Sequence, residues 1–322
     1  MLKSRRLFTI LVLATATLLA ACNPQGGKSP SSAGPVVLKV GNQKGTIRAL
    51  MTASHALDGA TYTVEWSEFP AAQHLLEGLN AGAVDVGLVG DAPFLFAFAN
   101  GSSLKVVSAI AYGDGSSTAI IVPATSQAQS LSDLKGKRIA TGKISVGHYL
   151  LLRALEKEGL TTKDVQVVFL APADAKAAFA SGSIDAWSTW APFLTTATQQ
   201  DHARVLVSGK GLMTSHAYQV ATPAAIRDKS AALHDFDDRL TRAYAWGNAH
   251  PVEYAAALSK DTGLPVDIAT AMLKQISPHT VALDDSIVTE ANEVVDHLSK
   301  ASDTPPQPRS IDDAFSTEFK SK

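Results

Sequence analysis

The chain has 322 residues, 46% hydrophobic and 18% charged, with 28 Lys and Arg against 30 Asp and Glu. This composition excludes global disorder and is enough to bury one large core or two ordinary ones, while the near-neutral balance gives no basic field of the kind nucleic acid requires. The single cysteine, Cys22, excludes a disulfide within a monomer, so stability rests on the core.

Residues 1–21 read as an export signal: Lys3, Arg5 and Arg6 precede an uncharged apolar run from Leu7 to Leu19. The ending Leu19-Ala20-Ala21-Cys22 resembles a bacterial lipobox, which would make Cys22 the lipidated N-terminus of the mature protein; the other reading is an ordinary signal peptide with an incidental cysteine. Residues 22–35, rich in Gly, Ser and Pro, then form a flexible tether. Without the three leader cations, 25 basic residues face 30 acidic ones, a formal charge of −5. No other run of about twenty apolar residues occurs, so the mature chain is expected to be anchored to a membrane without spanning it.

Val36 to Gly41 is β-branched and apolar, as in a strand covered on both faces. It leads into Gly41–Thr46, GNQKGT, where Gln43 and Lys44 stand at a strand-to-helix turn and can converge on a ligand; the spacing is not that of a nucleotide-triphosphate loop. A helix to about Leu57, a strand over Tyr62–Phe69, a helix over Ala71–Ala81, a strand over Val84–Val89, a helix over Pro93–Asn100 and a strand over Leu104–Ala111 follow. Tyr112–Thr118, YGDGSST, has the composition of a hinge. Beyond it come strands at Ala119–Val122, Arg138–Thr141, Val165–Leu170, Ile184–Ser188, Arg204–Ser208 and Ala217–Ala221, with helices from Ser145, over Pro172–Ala180 and over Ala191–Gln199. From Ala224 the text turns helical, in segments Asp235–Ala249, Pro251–Thr262, Pro265–Gln275 and Asp284–Lys300, with an extended connection over Ala301–Ser310.

One stretch organises the chain. Ser181–Phe193, SGSIDAWSTWAPF, echoes Ala81–Phe94, AGAVDVGLVGDAPF: a glycine ends a helix, an aspartate three residues later enters a short strand, and a proline opens the next helix. Two α/β halves are implied, with a ligand outside the carboxyl ends of their strands. The strongest single site candidate is Gly142–His148, GKISVGH. Ser145 can cap the following helix and Gly147 can let a ligand approach its first N–H groups, whose macrodipole favours an anion; capping with no ligand is the alternative for the serine alone. Lys143 and His148 flank the turn.

Several phrases together resemble the solute-binding lipoproteins of ABC importers for aliphatic sulfonates, nitrate and taurine: Gln43-Lys44-Gly45, Gly90-Asp91-Ala92-Pro93, the helix start running into Leu150-Leu151-Leu152-Arg153-Ala154-Leu155, Pro172-Ala173-Asp174-Ala175 and Ile184-Asp185-Ala186-Trp187. The resemblance spans about Val36 to Ala221 by motif and the helical remainder by length and pattern. It implies an α/β, two-lobed periplasmic-binding-protein fold, each lobe a mostly parallel sheet flanked by helices, with the cleft between them. Residues 36–115 and 217–322 would form lobe 1 and residues 116–216 lobe 2. It also implies a monomer that takes a small organic anion, needs no cofactor or metal, performs no catalysis and delivers its cargo to permease subunits. Gln43, the Asp91-Ala92 turn, the Ser145 turn with Val146, and Trp187 would face the cleft.

A sulfonate suits neutral donors at helix ends and an apolar wall for its tail, which Trp187 and Trp190 could supply; the other reading of each tryptophan is a core residue. Lys44, His148 and His216, the last near the second crossing, complete the candidate set, with Tyr112, Ser116 and Ser117 at the first hinge as weaker members. Asp85 and Asp185 read as structural. The chain departs from the sulfonate binders in carrying Ile144, Val146 and Gly147 ahead of the histidine and Tyr149 where an asparagine is usual. Other solutes (taurine, nitrate, a thiamine-precursor-like heterocycle), an enzyme on the same fold and a structural lipoprotein are the competing readings.

Overall fold

The computed structural model describes residues 35–43, 45, 47–300 and 309–320. The leader, Cys22, the tether before Pro35, Lys44 and residues 301–308 lie outside the described residues.

The first half runs β1 (Val37–Gln43), α1 (Ile47–Ala53), β2 (Thr63–Phe69), α2 (Ala72–Asn80), β3 (Val86–Gly90), α3 (Asp91–Ala99) and β4 (Lys105–Ala111). The second repeats that order: after β5 (Thr118–Val122) come β6 (Arg138–Thr141), α4 (Val146–Lys157), β7 (Gln166–Phe169), α5 (Pro172–Ala180), β8 (Ala186–Trp190), α6 (Phe193–Gln199) and β9 (Arg204–Ser208). β10 (His216–Ala221) returns to the first sheet. Helices α7 (Pro223–Ala249), α8 (Pro251–Thr262) and α9 (Val266–Ile276), strand β11 (His279–Val281) and helix α10 (Asp285–Lys300) complete it.

The sheets are ordered β11-β4-β10-β3-β1-β2 and β7-β6-β8-β5-β9. In the first, β2, β1, β3 and β4 share a direction that β10 and β11 oppose; in the second, only β5 opposes the other four. Each sheet is therefore mostly parallel with one inserted antiparallel strand. Both inserted strands, β5 and β10, follow directly on a crossing, and each lies beside the strand that carries its half's copy of the repeated phrase.

The repeated aspartates show why that phrase recurs. Asp85 Oδ2 accepts the Lys39 N–H of β1 at 2.7 Å, and Asp185 Oδ2 accepts the Arg138 N–H of β6 at 2.8 Å. Each carboxylate thus stands in for a strand partner one residue before its own strand begins. A cation completes each pair: Lys229 Nζ from α7 at 2.7 Å on Asp85, and Arg138 Nε at 3.3 Å on Asp185.

The proline positions differ between the copies. Asp91 accepts the Ala92 N–H at 2.6 Å and α3 starts there, so Pro93 is its third residue; Trp190, the counterpart of Asp91, offers no acceptor, and Pro192 is the cap before α6.

Helices cover both faces of each sheet. α1, α7, α8 and α9 pack on one face of the first sheet through Leu50, Phe236, Leu240 and Leu258, and α2, α3 and α10 pack on the other through Leu75, Phe94, Phe98 and Val294. α4 covers one face of the second sheet and α5 and α6 the opposite one. Strands buried on both faces carry near-continuous apolar runs such as Thr118–Val122, TAIIV.

Candidate anion site between the two halves

The carboxyl end of β3 in the first half meets the turn between β6 and α4 in the second, and the end of β8 lies beside that turn. A Cβ placed on Gly90 would lie 2.8 Å from Val146 Cγ1, so α4 touches the Gly90 turn directly. Gln73 at the start of α2 reaches across and donates from Nε2 to the Lys143 carbonyl.

The turn itself is tightly determined. Ser145 caps α4, its Oγ accepting the His148 N–H at 3.1 Å and donating to the Gly142 carbonyl at 2.7 Å. The only proton of that hydroxyl is thereby spent within the turn, so Ser145 shapes the site and does not donate to a ligand in this conformation. His148 likewise turns inward: Nδ1 accepts the Ile144 N–H at 3.2 Å and the ring meets Phe169 edge-on at 5.0 Å. Burial first, and the Lys143 ammonium second, lower its pKa to about 4, so it is a neutral acceptor near pH 7. Ile144, just before Ser145, sits at φ 56°, a left-handed conformation that a β-branched residue adopts only under restraint.

What the turn offers outward is backbone. Of the first N–H groups of α4, that of His148 is taken by Ser145 Oγ and that of Tyr149 by the Ser145 carbonyl, which leaves those of Val146 and Gly147, whose positive potential the helix dipole increases. Trp190, half-buried at the end of β8, supplies the neighbouring wall: a Cβ on Gly142 would meet its ring at 3.5 Å, and its ring stands edge-on to Phe193 at 6.2 Å.

Gly147 has another role than the sequence suggests. A Cβ there would lie 2.6 Å from the Ser188 carbonyl and 2.9 Å from Thr141 Oγ1, so the glycine allows α4 to sit against β8 and β6, not a ligand against α4. Ser188 Oγ donates to the Gly147 carbonyl at 2.6 Å and fixes the approach. Gly147→Ala is expected to lift the α4 start off the sheet, costing about 1–3 kcal/mol as overpacking does. Denaturant titration reads the loss; an unchanged midpoint would mean that the helix has room to move.

The remaining candidates divide. Trp187 is 2% exposed and lies on the opposite face of β8, between Phe179 and Phe193 at 6.0 Å each, so it belongs to the core under α5 and α6 and not to the cleft. Asp91 is buried, its Oδ2 accepting the Thr214 hydroxyl at 2.5 Å and its Oδ1 the Ala92 N–H, so it ties the Gly90 turn to the second crossing. Burial raises its pKa against the pull of those bonds. The Ala92 N–H is consumed by that same carboxylate. His216 is directed at α10, with Nδ1 3.1 Å from Glu290 Oε2. Gln43 remains at the strand end, donating from Nε2 to the Leu88 carbonyl at 2.8 Å.

The first-hinge residues act as fasteners. The Tyr112 N–H donates to the Ser215 carbonyl at 2.7 Å and its hydroxyl lies 3.2 Å from that of Tyr244; the carbonyls of Ser116 and Ser117 accept Gln275 Nε2 at 2.7 Å and the Ala191 N–H at 2.9 Å. Among the described residues no group of three or more His, Cys, Asp and Glu is placed to hold a metal ion, and no helix is long and apolar enough to cross a membrane.

Comparison with known proteins agrees with this architecture. Residues 64–254 match the family model described as NMT1/THI5 like. A protein of Escherichia coli (strain K12) named as aliphatic sulfonates-binding is 35% identical over 250 residues, 77% of this chain and 78% of its own length. Among solved structures, the alkanesulfonate-binding protein SsuA from Xanthomonas axonopodis pv. citri bound to MOPS superposes with a TM-score of 0.81 at 31% identity, over 88% of this chain and 99% of the other. The periplasmic aliphatic sulphonate binding protein SsuA from Escherichia coli gives 0.79 at 29% identity, over 90% and 94%. Two helix-covered sheets, a strand-turn-helix phrase repeated in each and these relatives lead to one conclusion: the chain belongs to the NMT1/THI5-like family and has the periplasmic-binding-protein fold.

Proposed function

We propose that this protein captures a small organic anion, an alkanesulfonate first of all, in the cleft between its lobes and delivers it to the permease of an ABC importer. The observation that carries the reading is the α4 start: a helix N-terminus capped by Ser145 that leaves the N–H groups of Val146 and Gly147 without an acceptor near the Trp190 ring, with the Gly90 turn of the other half against it. A sulfonate is a monoanion with several acceptor oxygens, which backbone donors can satisfy without a buried counter-cation. The sulfonate-binding names of the relatives support the same class.

Capture without chemical change fits the engagement of Ser145 and His148 inside the turn, where neither is free as nucleophile or base. We assign residues 36–115 and 217–322 to one lobe and 116–216 to the other, with the crossings near Tyr112 and Ser215 as pivots. Export, removal of residues 1–21 and lipidation of Cys22 would hold a monomer at the membrane surface near its permease.

The test is a thermal-shift screen of the mature domain against alkanesulfonates, taurine, nitrate, sulfate and thiamine precursors, followed by calorimetry. A selective shift with an alkanesulfonate supports the reading; a shift with heterocycles alone removes the anion site, and no shift with any compound favours a structural lipoprotein. Trp190→Ala should weaken binding of the best alkanesulfonate by about tenfold, the order of one lost aromatic contact, and leave the melting temperature of the free protein nearly unchanged. Unaltered affinity would exclude Trp190 from the wall.

A further inference from the structure

The Lys143–Ile144 peptide, which sets the shape of the anion turn, is held from both halves of the molecule. His148 Nδ1 takes its N–H from within the second half, and Gln73, on α2 of the first half, takes its C=O from across the cleft. The conformation so held is costly. A β-branched residue at φ 56° is disfavoured by roughly 1–2 kcal/mol, so Ile144 stays there only while its neighbours restrain it. One of the two restraints exists only while the halves are together. The approach of Val146 to Gly90 depends on the same closeness of the halves, two residues from Ile144 on the same turn.

We infer that Gln73 is a trans-cleft positioning residue: closure brings its amide onto the Lys143 carbonyl and completes the turn that presents the α4 N–H groups, so that lobe closure and formation of the anion cradle are one event. The inference rests on the binding reading above and adds a residue that touches no ligand. A neutral amide suits this position. It can hold a backbone carbonyl without placing a second charge beside a bound anion, whereas a carboxylate would repel both. Opening removes the restraint, the turn relaxes and the ligand leaves.

The experiment compares wild type with Gln73→Ala and with the near-isosteric, donor-free Gln73→Met. Calorimetry and stopped-flow dissociation are run with ethanesulfonate, and small-angle scattering with and without it. Both variants should bind about tenfold more weakly through faster dissociation, as the loss of one hydrogen bond predicts. They should also show less ligand-induced compaction, with the melting temperature of the free protein unchanged. Dissociation within twofold of wild type would overturn the inference, as would a weakening matched by a fall in the free melting temperature, since that is the signature of a merely structural role. If wild type itself binds no alkanesulfonate, the functional reading fails first. Scattering of the free proteins then decides on Gln73 alone: variants more open than wild type support the latch, and equal dimensions overturn it.

Discussion

Trp187→Ala will cost about 3–5 kcal/mol of stability, the range for removing a large aromatic from a packed core, and will leave the ligand affinity of the folded fraction unchanged. The indole is 2% exposed and is flanked by Phe179 of α5 and Phe193 of α6, so its removal opens a cavity between the sheet and two helices that are held by their own connections. Chemical denaturation and calorimetry on the same preparation separate the effects. A tenfold loss of affinity without loss of stability would move Trp187 into the cleft. The contrast with Trp190→Ala is the sharper test, because the two residues lie three apart on one strand and are assigned opposite roles.

Asp237→Asn should stabilise the protein at pH 7.5 by up to ~3 kcal/mol and have little effect at pH 4. Asp237 on α7 is half-buried, and desolvation raises its pKa to about 6. The folded state therefore holds this proton more tightly than the unfolded chain. The contribution of Asp237 to stability is greatest below the unfolded value near 4 and is lost as pH rises through about 6. His148 works in the other sense. Its folded pKa of about 4 lies below the unfolded value of 6.5, so its contribution is full above pH 6.5 and is lost as pH falls toward 4. In the wild type the two slopes oppose each other between pH 4 and 6. In Asp237→Asn the histidine slope is opposed by one group fewer, and stability should fall more steeply on acidification than in the wild type. A variant with the wild-type pH profile would show that Asp237 is solvated.

Much of this molecule is legible in the sequence where a local rule suffices. The repeated Gly-x-x-Asp phrase marks equivalent strand entries because each aspartate binds the N–H of a neighbouring strand, and Ser145 reads as a cap because a cap needs only residues three apart. α5 runs over Pro172–Ala180 and α8 over Pro251–Thr262, as their proline starts predict. β11 was not foreseen: three residues between two helices carry no periodicity, and only pairing with β4 makes His279–Val281 a strand.

Which side chains reach the cleft was harder to read. Ala186–Trp190 is buried on both faces, so AWSTW has no polar alternation to fix its phase, and the sequence cannot say which tryptophan looks outward. Asp91 and His216 look like ligand groups by residue type, yet their partners, Thr214 and Glu290, lie 123 and 74 positions away. Gly147 resembles a ligand-approach glycine until the Ser188 carbonyl is found beneath it, and Gln73 carries no motif at all.

The class, two α/β halves with a capped helix start after β6, can be read along the chain because strands, caps and repeats are set by near neighbours. Which groups remain free to meet a solute depends on the packed fold. A polar side chain is available when nothing else in the fold has claimed its hydrogen bonds, and those claims come from residues distant in sequence.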